Sequence, residues 1–134
     1  MKKTVYNPDT LGPPVGHFDR AVRFDDWLFI SGTSALTQLQ GDINERHLVE
    51  GIEAQTRETL DNIEKVCRAA NGSLANIYEF RIILKEREHF GIVSRILKER
   101  IPNKGFIAHA YKGELLHPEM ELEIEAYAYL GSLE

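Results

Sequence analysis

The sequence predicts a single α+β domain spanning residues 1–134, a mixed β-sheet with two helices on one face. Three observations carry this expectation. Five short runs have strand character: "RAVRF", "WLFISG", "NIYEFRIILKE", "GFIAHAY" and "MELEIEAYAYL". Two longer stretches repeat apolar residues at intervals of three and four. Their order is β-β-α-β-α-β-β, which returns the chain to one sheet through two helical connections. A chain of 134 residues suits one compact domain.

Pro8, Pro13 and Pro14, with Gly12 and Gly16, keep the first segment extended or turning. "RAVRF" and "WLFISG" flank Asp25-Asp26 and read as a hairpin, with Gly32 ending its second strand. From Thr33 to His47 the chain is polar and loop-like. A long helix starts near Leu48, where Ile52, Thr56, Leu60, Ile63 and Cys67 form one stripe. Asn71-Gly72 stops it, glycine being free to take a left-handed conformation.

In the next strand Tyr78, Phe80, Ile82 and Leu84 share a face. A second helix begins near Glu88, buries Phe90, Val93, Ile96 and Leu97, and ends before Pro102. "GFIAHAY" and "MELEIEAYAYL" then read as a closing hairpin. In its last strand Leu122, Ile124, Ala126, Ala128 and Leu130 form one face. Glu121, Glu123, Glu125, Tyr127 and Tyr129 form the other. This acidic and aromatic face is either solvent-exposed or the surface on which a second subunit sits.

Composition narrows the function classes. The formal net charge is −5, and basic residues are mixed with acids, as in "KEREHFGIVSRILKERIPNK". That is a solvated helix surface, with no stripe for nucleic-acid phosphates. One cysteine, Cys67, excludes an internal disulfide and a thiol metal cluster within the chain. No apolar run follows Lys2-Lys3 as in a signal peptide, and none reaches the length of a membrane span. The expectation is a cytoplasmic protein.

The sequence holds neither GxxxxGKS/T nor GxGxxG, and no HExxH histidine pair. Ser31 in "ISGTS" lacks the upstream glycine of a nucleophile elbow. No metal or organic cofactor is expected. The remaining candidates are polar groups at strand ends. Ser31 and Gly32 either present backbone N–H groups to an anionic oxygen or make a simple turn. His109, sharing a face with Ile107 and Tyr111, is either a general base or a structural histidine. His117 precedes Pro118 and reads as turn surface. Glu123, in mid-strand, can position water if its face is covered, and Glu121 and Glu125 have the same opportunity.

Four pieces also resemble a known family: "PPVGHF", "WLFISGTSAL", "EAQTRETLDNIEKVCRAANGSLANI" and "ELEIEAYAYL". They resemble, in order and spacing over nearly the whole chain, the RidA (YjgF/YER057c/UK114) family of reactive-imine deaminases. "PVGHF", "SGTSA" and "LLHPEMELEIEAYAY" look more like the 2-aminomuconate deaminase branch. The resemblance implies a chorismate-mutase-like fold and a homotrimer around a central barrel, with helices outside and sites in intersubunit clefts.

Carried over by position, Ser31 and Gly32 lie near the ligand and Glu123 holds the attacking water. Phe18 walls the cleft where a tyrosine is usual. Ser94 stands near the usual asparagine, and Tyr111 where a cysteine is common. His109 stands where the family has its substrate-binding arginine, or Ala108 or Ile107 does in a shifted alignment. No arginine follows Arg100. Histidine cannot make the same two-pronged bond to a carboxylate. His117, in the turn of "LLHPEM", completes the candidate substrate contacts, and Lys104 or Lys112 is a candidate substitute cation.

The expected activity is hydrolytic deamination of a small enamine or imine, such as a 2-aminomuconate-type intermediate, at a glutamate-held water. The expected partners are a small-molecule substrate and two further copies of the chain, with no nucleic acid and no membrane. The alternative is a non-catalytic, small-ligand-binding trimer or a specialised pathway protein without deaminase activity. Ribonuclease is a third reading, and the acidic charge opposes it.

Overall fold

The computed structural model describes residues 1–36 and 46–134. The polar loop expected over 33–47 falls mostly outside the described residues. Among the described residues six strands and two α-helices follow one another: β1 Lys3–Tyr6, β2 Ala21–Phe24, β3 Trp27–Thr33, α1 Ile52–Ala69, β4 Ile77–Leu84, α2 Phe90–Arg100, β5 Ile107–Lys112 and β6 Leu122–Tyr129. They build one sheet in the order β1-β2-β3-β6-β4-β5. All neighbours are antiparallel except β4 and β5. The fold class is the expected one.

Two expectations about which strands form and pair change. The first segment contributes a strand, β1, whose Lys3–Tyr6 pair with Phe24–Ala21. Four residues at a sheet edge carry too little alternation to be read from sequence. The closing hairpin does not form either, because β4 lies between β5 and β6. α2 carries the chain from β4 to β5, and a connection of that length allows parallel pairing.

The core lies between the helices and one face of the sheet. Leu28, Ile30, Phe80, Ile82, Leu122, Ile124, Ala126 and Ala128 are buried there. α1 meets them with Leu60, Ile63, Val66 and Cys67, and α2 with Val93, Ile96 and Leu97. In β4 a register shift between Ile77 and Glu79 places Ile77, not Tyr78, on the core side. Tyr78 instead packs edge-on against Trp27. At the end of α1 the left-handed residue is Asn71, with φ 62°, rather than Gly72. Asparagine tolerates that region through its short polar side chain. The Gly72 N–H then closes the helix on the Cys67 carbonyl at 2.8 Å.

β6 is held in register from outside its ladders. Gln55 of α1 is buried and donates Nε2 to the carbonyls of Val49 (2.9 Å) and Glu119 (2.7 Å). Its Oε1 accepts from the Glu121 N–H at 2.8 Å. At the far end, the Asn76 amide donates to the Tyr129 carbonyl at 3.1 Å. Gln55→Leu keeps the volume but leaves the Glu121 N–H without its acceptor. It is expected to cost about 1–3 kcal/mol, read as a lower urea midpoint at unchanged slope. A midpoint equal to wild type would show that β6 is positioned without this strap.

Candidate functional site

The pairing of β3 with β6 shapes the site. Ile30 faces Ala126 and Thr33 faces Ile124, so Ser31 and Gly32 together oppose Glu125. Two residues against one is a β-bulge, which kinks the strand and re-aims its side chains. The bulge brings Gly32 under the neighbouring Glu123. A Cβ at Gly32 would lie 2.5 Å from Glu123 Oε1 and 2.9 Å from its Cδ. Only glycine leaves room for the carboxylate there.

The second face of β6 carries the glutamates as expected, and their surroundings separate them. Glu125 accepts from the Tyr127 hydroxyl at 2.6 Å. That bond is the main reason the Tyr127 hydroxyl is pushed up to about 12. Glu121 lies 3.9 Å from His89 Nδ1. Glu123 has no hydrogen-bond or ion-pair partner among the described residues. Burial, with Glu125 nearby as a second cause, pushes its carboxyl above the usual range. A carboxylate so placed is a better base than an exposed one and is free to hold a water.

Glu123 opens onto a cavity of about 340 Å³ that Phe18, Arg20, Ser31 and Gly32 also line. Pro14, Val15, Leu116 and Met120 supply apolar wall. The donors of Ser31 are engaged within the chain. Its N–H donates to the Arg20 carbonyl at 2.9 Å and its hydroxyl to the Asp19 carbonyl at 2.7 Å. Those bonds fix the segment between Phe18 and β2 against β3. Ser31 therefore positions the wall, and its backbone N–H is not open to an anion.

The other candidates lie elsewhere in the single chain. Ile107, His109 and Tyr111 are exposed along the edge strand β5, on the same sheet face as Glu123. The rings of His109 and Tyr111 meet edge-on at 5.7 Å. β4 separates them from β6, a distance of roughly 10 Å for two strand spacings. Ser94 is exposed on α2, beside Ile82 and Ala108 on the helical side of the sheet. His117 is buried, not turn surface. Its Nδ1 accepts from the Glu119 N–H at 3.0 Å, so the proton sits on Nε2, which donates to the Arg46 carbonyl at 2.9 Å. Both nitrogens are occupied in tying the Met120 loop down.

Arg20 escaped the sequence reading, which sought a cation only near the C-terminus. It heads the strand-like run "RAVRF", two residues after Phe18, where nothing in the sequence marks it as a ligand contact. Only the β2–β3 pairing brings it to the cavity. No group of three or more histidine, cysteine or acidic residues that could hold a metal occurs among the described residues. No helix among them is long and apolar enough to cross a membrane.

Comparison with known proteins agrees with this architecture. The family model described as endoribonuclease L-PSP matches residues 10–130. A RutC family protein of Pyrococcus horikoshii is 28% identical over 96% of this chain and 98% of its own length. The crystal structure of RidA from the Antarctic bacterium Psychrobacter sp. superposes with a TM-score of 0.83. It is 25% identical, over 94% of this chain and 98% of that one. E. coli TdcF, crystallised with bound serine, shares the fold at a TM-score of 0.80 and 18% identity, over 94% and 98% of the two chains. The chain belongs to the endoribonuclease L-PSP family, the RidA/YjgF family whose motifs its own sequence resembles.

Proposed function

We propose that the protein hydrolyses a small reactive enamine or imine to a carbonyl compound and ammonia, with Glu123 as the base that activates water. One observation carries the reading. Glu123 is a desolvated carboxylate without a partner among the described residues, held over Gly32 at the wall of a cavity sized for a small molecule. An unsaturated amino acid, such as a 2-aminomuconate-type product of aromatic breakdown, fits the apolar wall given by Phe18, Leu116 and Met120.

Water and Glu123 carry the bond-making steps. An enamine substrate first tautomerises to its imine. Glu123 accepts a proton from water as the water oxygen bonds to the imine carbon, and the C=N π pair moves to nitrogen. Glu123 returns the proton to that nitrogen. The resulting amino alcohol loses ammonia as its hydroxyl becomes a carbonyl, so one water is consumed for each ammonia released. Desolvation raises the basicity of Glu123 and brings it nearer the operating pH.

The reading includes a homotrimer. Trp27 (46%), Phe29 (41%), Ile107 (65%) and Tyr111 (46%) are exposed on the sheet face opposite the helices. An aromatic and aliphatic face of this kind is suited to burial against another copy. In the assembly the exposed row Ile107, His109 and Tyr111 borders the clefts between copies. There His109 meets the substrate's polar end or shuttles a proton. Ser94, on the helical side of the sheet, and His117, with both ring nitrogens occupied, are left out of the proposed substrate contacts.

Ammonia release from 2-aminoacrylate and 2-aminomuconate generated in situ tests the activity. Glu123→Gln is expected to lower kcat/KM by about 10²–10⁴-fold. Gly32→Ala, whose methyl displaces the Glu123 carboxylate, is expected to lose activity on the same scale with little change in melting. Wild-type rates at background on both substrates would remove the deaminase reading for them. Gly32→Ala at full rate would show that the close approach is unimportant.

The pH dependence has a defined sign. The base works when ionised, so activity falls as pH drops through the Glu123 value. That value is raised, so the acid limb lies above the usual glutamate range. Glu125→Gln removes a negative neighbour and moves the limb to lower pH. An unmoved limb would assign it to another group.

A further inference from the structure

We infer that Arg20 is the anion-recognition residue of the Glu123 cavity, taking the carboxylate of a small ligand on the end-on Nη1/Nη2 edge of its guanidinium. The inference deepens the deaminase reading, since it names the group by which that substrate is held. Arg20 lines the same cavity as Glu123, Phe18 and Gly32. Its side chain is half-buried, and its bonds among the described residues go to one acceptor. Nε donates to the Gly12 carbonyl at 2.9 Å, and Nη2 donates to the same oxygen.

A guanidinium has five N–H donors in a planar fork. Gly12 occupies the Nε/Nη2 side, which leaves the Nη1/Nη2 end for a two-pronged bond to a carboxylate. No carboxylate among the described residues pairs with Arg20, and the adjacent Asp19 instead accepts from the Asn7 amide at 2.8 Å. A second cation, Arg46, acts on Arg20 as a like charge. Burial first and Arg46 second hold Arg20 below the usual arginine value. Arginine remains protonated through such shifts. A desolvated cation facing a like charge is costly, and an anionic ligand offsets that cost.

The loop around Gly12 makes the placement rigid. Leu11 is buried in the core, and Pro13-Pro14 restrict the chain that follows. The Gly12 carbonyl thus fixes the guanidinium before a ligand arrives. Precise placement on a rigid frame favours recognition of a planar carboxylate over a diffuse attraction for any anion. The arginine absent from the sequence after Arg100 is then supplied from the entry to β2.

Calorimetric titration with 2-oxobutanoate and with its uncharged amide tests this on wild type, Arg20→Gln and Arg20→Lys. Arg20→Gln is expected to weaken 2-oxobutanoate by about ten- to a hundredfold and to leave the amide unchanged. Arg20→Lys is expected to retain salt-sensitive acid binding at intermediate strength. Should Arg20→Gln fail to fold by circular dichroism, Arg20→Lys decides alone, and wild-type affinity for the acid there would overturn the two-pronged assignment. Equal loss of acid and amide marks a structural role and overturns the inference, as does a wild type with no preference for the acid. Ammonia release separates the two readings. Acid binding that depends on Arg20 without ammonia release removes the deaminase function and leaves Arg20 in place. Ammonia release at wild-type KM in Arg20→Gln overturns Arg20 alone.

Discussion

The register of β6 is the constraint on which the rest depends. β6 lies between β3 and β4, so its pairing sets both halves of the sheet. Its alternation sends Leu122, Ile124, Ala126 and Ala128 into the core and Glu123, Glu125, Tyr127 and Tyr129 to the other face. A slip of one residue would exchange the two sets, burying carboxylates under the helices. Burying unpaired carboxylates costs far more than any single strand pairing returns. The same alternation that builds the core therefore presents Glu123 to the cavity. Gln55 and Asn76, bonding to backbone at either end of the strand, hold that choice.

Within that frame the Ser31–Gly32 bulge converts a strand pair into a site. At the bulge the residue brought beside Glu123 is Gly32, and a Cβ at that position would collide with the carboxylate. The bulge also turns Ser31 back to bond the Asp19 and Arg20 backbone, which carries Phe18 and Arg20 to the cavity wall. One irregularity thus gathers residues from three segments of the chain. The cavity places a cation and a base on a wall shared with Ser31, Thr33 and Ser34 and with apolar side chains such as Phe18, Leu116 and Met120. That arrangement is what the proposed substrate requires, a small molecule with one charged end and one electrophilic carbon.

The parts legible in the sequence were those with enough repeats to show a period. The stripe of α1 and the alternation of β6 each reflect burial on one face, and the Asp25-Asp26 turn shows in its residue types between two apolar runs. The illegible parts depend on partners distant in sequence. β1 is too short to show alternation and exists because β2 offers an edge. The register shift at Tyr78 is set by β6, and the separation of β5 from β6 is set by β4 taking the place between them. His117 reads as turn surface before Pro118, yet its ring is buried because Arg46 and Glu119 supply complementary backbone groups. Arg20 heads the run "RAVRF" and reads there only as the start of a strand. Its place follows from the bend of a proline-rich loop and the pairing of β2 with β3. Glu123 was legible as a mid-strand acid, whereas its difference from Glu121 and Glu125 required their hydrogen-bond partners.

The account rests on the sheet face opposite the helices being covered by further copies of the chain. Covering it would desolvate the acids further and bring the exposed β5 row against a cleft. Sedimentation equilibrium of the wild-type protein tests this most directly. The account predicts a single species at the mass of three chains across dilution through the micromolar range. A monomer at those concentrations would contradict the intersubunit cleft.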